Sequence, residues 1–470
     1  MAGPSERRGH MTIIGAGMAG LRAADVLLDH GFEVTLLEAR QRLGGRILTD
    51  RSGGTPVDMG AAWMHGTAYN PLVKLIRALH IQYYYDDGTP LYYTEFGPSG
   101  SQFKARNVVD EFIDYIEHVY DTAPDADDRS ALDFMREFLQ NHELITDDER
   151  MWAPEAFREM ENTLGLRMEE ASSKFFKYAL PPQRDLYVKG GYDTIVQWTE
   201  DKIKSKGGII KLAHNVDRIT HHEHQPVTIF GQADNTAFSL TADAVVVTIP
   251  LACLQSENIV FEPSLSRELE KGFESLSYGA LGKVVLEFED VFWSRQNDQL
   301  LYCPTPPQLG EDSELSEWPV LGHAFDVINL HIFDGSKKLC VLISPPLVQE
   351  LEAMQDEKWK IYEYLEPLLE LFRTEPYKAL PKMVDLKITS WTQDPLAGYG
   401  AYSTMKVGDN PRVLEAALKA NKKHRVQFAG EHCSLTEMGC VHGAYITGEI
   451  AAQNIVQLLK SEATGLGNVE

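Results

Sequence analysis

The segment Met11-Thr12-Ile13-Ile14-Gly15-Ala16-Gly17-Met18-Ala19-Gly20 leaves few folds open, because it joins an apolar strand to a helix through glycines spaced G-x-G-x-x-G. A helical pattern follows (Leu21, Ala24, Leu27, Leu28), and a second strand, Val34–Leu37, runs into Glu38. Each part suits a dinucleotide. Gly15 allows the tight turn, Gly17 lets backbone approach a pyrophosphate, and Gly20 lets helix and strand pack closely. The helix N-terminus offers free N–H groups and a positive dipole end to phosphates. An acid about 20 residues further on suits ribose hydroxyls, which is the place of Glu38. Leu43-Gly44-Gly45-Arg46 adds a second glycine loop with an arginine, again suited to phosphate.

A chain of 470 residues, 43% hydrophobic, is long for one domain, so two are expected. No apolar run is long enough for a membrane helix, the N-terminus MAGPSERRGH has no secretory apolar core, and the last residues GLGNVE are not a peroxisomal tripeptide. Five scattered cysteines (Cys253, Cys303, Cys340, Cys433, Cys440) suit a reducing compartment. The expectation is therefore a cytoplasmic protein. With 44 basic and 69 acidic residues the net charge is −25. That balance disfavours nucleic acid and anionic membranes as partners and favours a cationic ligand by long-range steering. Solubility alone would also account for it.

Helical spacing covers Val108–Tyr120, Ala131–His142, Met151–Leu164 and Tyr192–Lys204, the last with Ile195, Val196, Trp198 and Thr199 inward. Strand patterns fall at Ile209–Leu212, Val216–Thr220, Val227–Phe230, Ala244–Ile249, Lys283–Phe288, Leu339–Ile343 and Arg425–Phe428. A glycine turn at Gly430-Glu431 leads to a long helix over Gly443–Leu459, while 121–130 and 304–319 read as exposed loops. Dinucleotide-type segments thus stand at the start, middle and end. The expected architecture is α/β, with one domain collected from 1–75, 188–282 and 388–470 and a second built from 76–187 and 283–387.

The fingerprint is accompanied by Asp58-Met59-Gly60-Ala61-Ala62-Trp63-Met64-His65-Gly66 with Asn70-Pro71-Leu72, and by Lys189-Gly190-Gly191-Tyr192. Tyr278-Gly279-Ala280-Leu281-Gly282-Lys283-Val284, Phe428-Ala429-Gly430-Glu431 and Val441-His442-Gly443-Ala444 complete the set. Over nearly its full length the chain resembles the flavin-containing amine oxidases, within them the polyamine oxidase branch. The resemblance implies a Rossmann-like FAD-binding domain in separated segments and an α+β substrate domain with a mixed sheet. It also implies FAD as cofactor, a small cationic amine and O2 as partners, and the release of hydrogen peroxide. Ala401 stands where monoamine oxidases carry the cysteine that bonds the flavin, so the FAD implied here is noncovalent.

Residue by residue, the resemblance places Gly15, Ala16, Gly17, Gly20, Glu38, Arg46, Ala62, Trp63, Val216, Glu431, Cys440 and Val441 at the cofactor. Arg46 would lie near the pyrophosphate or the flavin ring, Val216 at the adenine, Glu431 beside the ribityl and pyrophosphate. Cys440 and Val441 begin a helix aimed at the flavin pyrimidine. Lys283 resembles the family's active-site lysine, which holds a water against flavin N5; on strand pattern alone it could equally face solvent. His65, Tyr402 and Cys440 fall on the substrate side: His65 as an acceptor from an amine N–H, Tyr402 as an aromatic wall. Cys440 replaces a second wall and widens the tunnel.

Glu169, Glu170 and Asp185 could supply acids for a distal ammonium, or be surface charge; the sequence does not choose. His221, His222 and His224 read as a wet turn rather than a metal site, and no metal is expected. Alternatives of the same fold are an L-amino-acid or monoamine oxidase and a non-catalytic FAD-containing binding protein. An amino-acid oxidase would want an arginine for the carboxylate, where this chain has Ala61–His65. A histone demethylase would want a helical tower for which the chain has no room.

Overall fold

The computed structural model describes residues 9–86, 88, 90–99, 103–179, 184–306 and 319–463. The runs HMTII, EVTLL and AVVV are apolar or β-branched on both faces, as strands covered on both sides must be. They build one parallel sheet in the order Ile209–Lys211, Glu33–Leu37, His10–Ile14, Ala244–Val247, Val426–Phe428. One face carries the helices Met18–Asp29, Asp193–Ser205 and Val441–Ala463 in a shared apolar core. First and last helices touch closely: a Cβ added to Gly448 would stand 2.2 Å from the Ala19 carbonyl oxygen. The other face meets the four-stranded sheet Thr236–Ala242, Val227–Ala233, His214–Thr220, Val260–Glu262 through Val216, Ile219, Ile229 and Val247.

A seven-stranded mixed sheet forms the other half, in the order Met383–Ile388, Gly282–Phe288, Lys338–Ile343, Phe325–Asn329, Gln299–Tyr302, Pro90–Thr94, Gly97–Pro98. All its pairings are antiparallel except Gln299–Tyr302 with Pro90–Thr94. A short three-stranded sheet, Trp63–Met64, Asp185–Val188, Tyr83–Asp86, lies beside it, with Trp63, Tyr84 and Tyr187 against Phe333. The helices Ala105–Thr122, Ala131–Asn141 and Asp147–Phe157 pack around Phe112, Phe134, Phe138 and Phe157. The starts of the second and third are capped locally: Ser130 Oγ accepts from the Asp133 N–H, and Thr146 with Glu149 forms a reciprocal capping box.

Three expectations need correction. The helix expected over Met151–Leu164 starts upstream at Asp147, where the Thr146 capping box sets it, and divides into Asp147–Phe157, a tight turn Arg158–Met160 and Glu161–Leu164. The last piece stops at Gly165, whose φ of +62° only glycine adopts easily. Trp198 is half-buried rather than inward, with the Lys202 ammonium 5.2 Å from its ring. Strands at Tyr83–Asp86, Pro90–Thr94, Gln299–Tyr302, Phe325–Asn329 and Met383–Ile388 were not expected; most mix polar and apolar residues irregularly, so alternation is weak. The stretch 304–319 lies largely outside the described residues, whereas 123–129 is a loop as expected.

The first strand-to-helix turn depends on tight backbone approach. Gly15 has φ +100°, and a Cβ on Gly20 would come within 2.0 Å of the Gly15 carbonyl oxygen. Gly20→Ala is expected to lower stability by about 3 kcal/mol through overpacking that backbone can relieve only by moving. Urea unfolding of the two proteins measures it; equal midpoints would show that the turn has slack.

Candidate active site

One cavity of about 760 Å³ runs between the two halves. At one end it is lined by Gly15, Gly17, Glu38, Arg40, His214 and Val216; at the other by His65, Asp86, Asp185 and Asp326. Gly44, Arg46, Ala62, Trp63, Lys283, Tyr402, Glu431, Cys440 and Val441 also face it. Of the residues expected at the site, Ala16 and Gly20 stand just behind. The Ala16 N–H donates to Glu38 Oε2 at 2.8 Å, and Gly20 supports the turn.

The end near Glu38 is built for an elongated anion. Gly17 caps the first helix without a side-chain cap, and a Cβ placed on it would meet nothing within 4 Å, so bare backbone and a helix N-terminus border the cavity. The Glu38 carboxylate is buried and held by the N–H groups of Ala16 and Arg40. Arg46 donates through Nη1 to Glu431 Oε1 at 2.8 Å, the Ala401 carbonyl at 2.9 Å and Tyr278 Oη at 3.2 Å. Glu431 in turn accepts from the Ser403 and Gly439 N–H groups. Burial alone would raise the Glu431 carboxyl; the Arg46 charge and these hydrogen bonds hold it below the ordinary carboxylate range. Helix Val441–Ala463 brings a second N-terminus to the cavity. Two helix ends, glycine-bared backbone, an acid at the far tip and an arginine fit a dinucleotide such as FAD.

Lys283 sits mid-cavity on the strand Gly282–Phe288 and does not face bulk solvent: it is 8% exposed. Its Nζ donates to the carbonyls of Asp58 at 2.9 Å and Gly60 at 2.6 Å and lies 5.5 Å from the Trp63 ring. Burial lowers its pKa, the nearby Asp58 charge opposing this. Behind it, the Lys283 N–H donates to Thr389 Oγ1, which donates to the buried Glu352. Asp58 itself accepts from Thr49 Oγ1 and the Tyr192 N–H, and burial pushes its carboxyl up to about 6.

On the far side His65 Nδ1 meets Asp185 Oδ2 at 2.7 Å, and Asn70 Nδ2 ties the His65 carbonyl. Of the three acids left open by sequence, only Asp185 lines the cavity. Glu169 pairs with Arg158 and Arg167, and Glu170 with Lys406. The Tyr402 hydroxyl donates to the Thr163 carbonyl at 2.9 Å, turning its ring along Gly439. Burial raises the Cys440 thiol, which keeps it neutral and unreactive. His222 and His224 are in the turn between Thr220 and Val227, away from the cavity. Sequence reasoning missed Asp58, Asp86, Asn162, Tyr278 and Asp326. Asp326 carried a faint signal, an acid between Phe325 and Val327 in an apolar run.

The model of a family described as flavin containing amine oxidoreductase matches residues 18–456. Polyamine oxidase 2 of Arabidopsis thaliana is 31% identical, over 94% of this chain and 87% of its own. A corticosteroid-binding protein of Candida albicans is 27% identical, over 96% of this chain and 97% of its own. Among solved structures, a putrescine oxidase bound to putrescine superposes with a TM-score of 0.71 at 17% identity, covering 96% of this chain and 99% of that one.

Asp58 yields a pH prediction. Its folded pKa of about 6 lies above the ordinary carboxylate value, so the folded state keeps a proton that the unfolded chain releases. The associated stability is complete below about pH 4 and is lost as pH rises through about 6, by up to about 3 kcal/mol. Urea unfolding of wild type and Asp58→Asn across this window is expected to show wild type losing ground by that amount; parallel curves would contradict it.

Proposed function

The chain belongs to the flavin-containing amine oxidoreductases, FAD-dependent oxidases of amines, and from that premise we propose that its substrates are polyamines: spermine, spermidine or their N-acetylated forms. The observation that carries this reading is the placement of a buried ammonium, Lys283, between a dinucleotide-shaped end and an acid-lined end of one cavity. The net charge of −25 steers cations toward it. Bound here, FAD would supply the redox chemistry: a hydride acceptor for the carbon beside the amine nitrogen and a route for its two electrons to oxygen, giving peroxide.

Glu38 and Val216 would hold the adenosine end, the Gly15–Gly17 backbone and Arg46 the phosphates and ring, Ala62, Trp63, Cys440 and Val441 the flavin. With Ala401 where the resemblance places the flavin-bonding cysteine of monoamine oxidases, the cofactor would be held noncovalently. Segments 1–75, 188–282 and 388–470 would bind it, and 76–187 with 283–387 the substrate. Asp185, by accepting from His65 Nδ1–H, leaves Nε2 as an acceptor for the N–H of an unprotonated amine. Tyr402 walls the slot and aligns the reacting carbon. Lys283, with two hydrogens committed to backbone carbonyls, directs the third at a water and stabilises negative charge as oxygen is reduced. The imine product hydrolyses to an aldehyde and a shorter amine. Free cysteines at 253, 303, 340, 433 and 440 suit the cytoplasm.

The Candida relative brings a binding-protein reading into view. A neutral steroid would leave the buried acids Asp86 and Asp326, for which no ion pair appears among the described residues, against an apolar ligand, which disfavours it here. Anaerobic bleaching of the yellow holoprotein by polyamines, and not by amino acids or steroids, is the expected result. Lys283→Met is expected to retain FAD and to slow peroxide formation by roughly 100-fold; unchanged turnover would remove the lysine from the mechanism.

A further inference from the structure

Two hydrogen-bonded routes run from one buried carboxyl to opposite ends of Lys283. Glu352 lies in the last turn of the helix Leu347–Ala353 and is 0% exposed. Its Oε1 accepts from Thr389 Oγ1, which itself accepts from the Lys283 N–H at 2.9 Å. The Thr389 N–H donates to the Lys283 carbonyl at 3.0 Å, so both backbone groups of the lysine are tied to this threonine. The other carboxyl oxygen, Glu352 Oε2, accepts from the N–H and from Oγ1 of Thr392, each at 2.6 Å. Thr392 sits in the tight turn Trp391–Gln393, and Trp391 Nε1 donates to the Met59 carbonyl at 2.9 Å. Met59 stands between Asp58 and Gly60, whose carbonyls receive Lys283 Nζ.

The sequence leaves room for this approach. A Cβ on Gly282 would stand 2.8 Å from Thr389 Oγ1 and 2.9 Å from Glu352 Oε1. Glu352 has no ion-pair partner among the described residues, and each of its three contacts is a donor. A buried carboxyl without a counter-ion is costly, and its hydrogen bonds offset only part of the cost. An apolar residue of similar volume would join helix and sheet without that cost. What the carboxyl adds is a pair of acceptors that holds Thr389 and Thr392 at one separation, and with them the root of Lys283 and the clamp at its tip.

We propose that Glu352 is a positioning residue for Lys283, fixing its backbone through Thr389 and its carbonyl clamp through Thr392, Trp391 and Met59. This rests on the reading above, in which Lys283 assists the reduction of oxygen. It adds a residue that does not line the cavity and acts only through the lysine.

Holoprotein photoreduced without any amine and then mixed with oxygen tests this, the return of the flavin spectrum giving the reoxidation rate. Glu352→Gln is expected to slow reoxidation roughly 10-fold in the wild-type background and to add nothing in the Lys283→Met background. Thr389→Val, which removes the hydroxyl but keeps the shape, is expected to match it, and Thr389→Ser to recover most of the loss. Equal slowing in both backgrounds would make Glu352 merely structural and overturn the proposal. Unchanged rates in both Glu352→Gln and Thr389→Val would overturn it too. A second readout needs no turnover: acetic anhydride labelling of the holoprotein, mapped by mass spectrometry. Lys283 is expected to label faster in Glu352→Gln than in wild type, while Lys338, a buried lysine on the neighbouring strand held by the Thr55 carbonyl, stays protected. Faster labelling of both lysines would mean general loosening and overturn the proposal. Should Lys283→Met reoxidise like wild type, the lysine's part in oxygen reduction falls, and the labelling alone decides whether Glu352 positions it.

Discussion

The Lys283 side chain, clamped by the carbonyls of Asp58 and Gly60, joins the two halves of the protein in the middle of the cavity. Its strand belongs to the seven-stranded sheet, and its two acceptors belong to the segment that continues from the second glycine loop. A buried ammonium is costly unless its hydrogens find acceptors, and two carbonyls meet that need without a carboxylate that would neutralise it. The amine is thus aimed into the cavity. The rest of the cavity takes its bearings from this contact, since it fixes how far the dinucleotide end stands from the acid-lined end.

Charge is distributed along the cavity in two ways. At the dinucleotide end it is matched internally, Arg46 with Glu431 and their hydrogen bonds to Ser403, Gly439 and Ala401. At the far end it is not matched: Asp86 and Asp326 are raised by burial and by each other's neighbours. Matched charge makes a rigid seat for a resident cofactor. Unmatched acids at the far end are relieved by taking up a proton, as their raised carboxyls show.

Legibility in the sequence followed the distance over which a feature is encoded. The glycine turn, its helix and Glu38 lie within one short unit, and the structure brings them together as that unit predicts. Lys283 was visible through its surrounding motif, although strand alternation left its face open. The far acids were not legible, because whether Asp185 or Asp326 faces a cavity depends on register with strands distant in sequence. Glu169, adjacent to Glu170 and equally acidic, is instead consumed by Arg158 and Arg167. The Met151–Leu164 break escaped notice since apolar spacing persists through the turn at Arg158–Met160, and only capping and the left-handed Gly165 mark its ends.

The parallel sheet gathers strands from His10 to Phe428, and its first helix is locked against the helix Val441–Ala463 by backbone contact at Gly448. During synthesis the amino-terminal strand and helix leave the ribosome long before the partner that covers them exists. Nascent chains must therefore keep an apolar helix face exposed until residues 441–463 have been made. Chains released before Val426–Phe428 would lack the strand that completes this sheet.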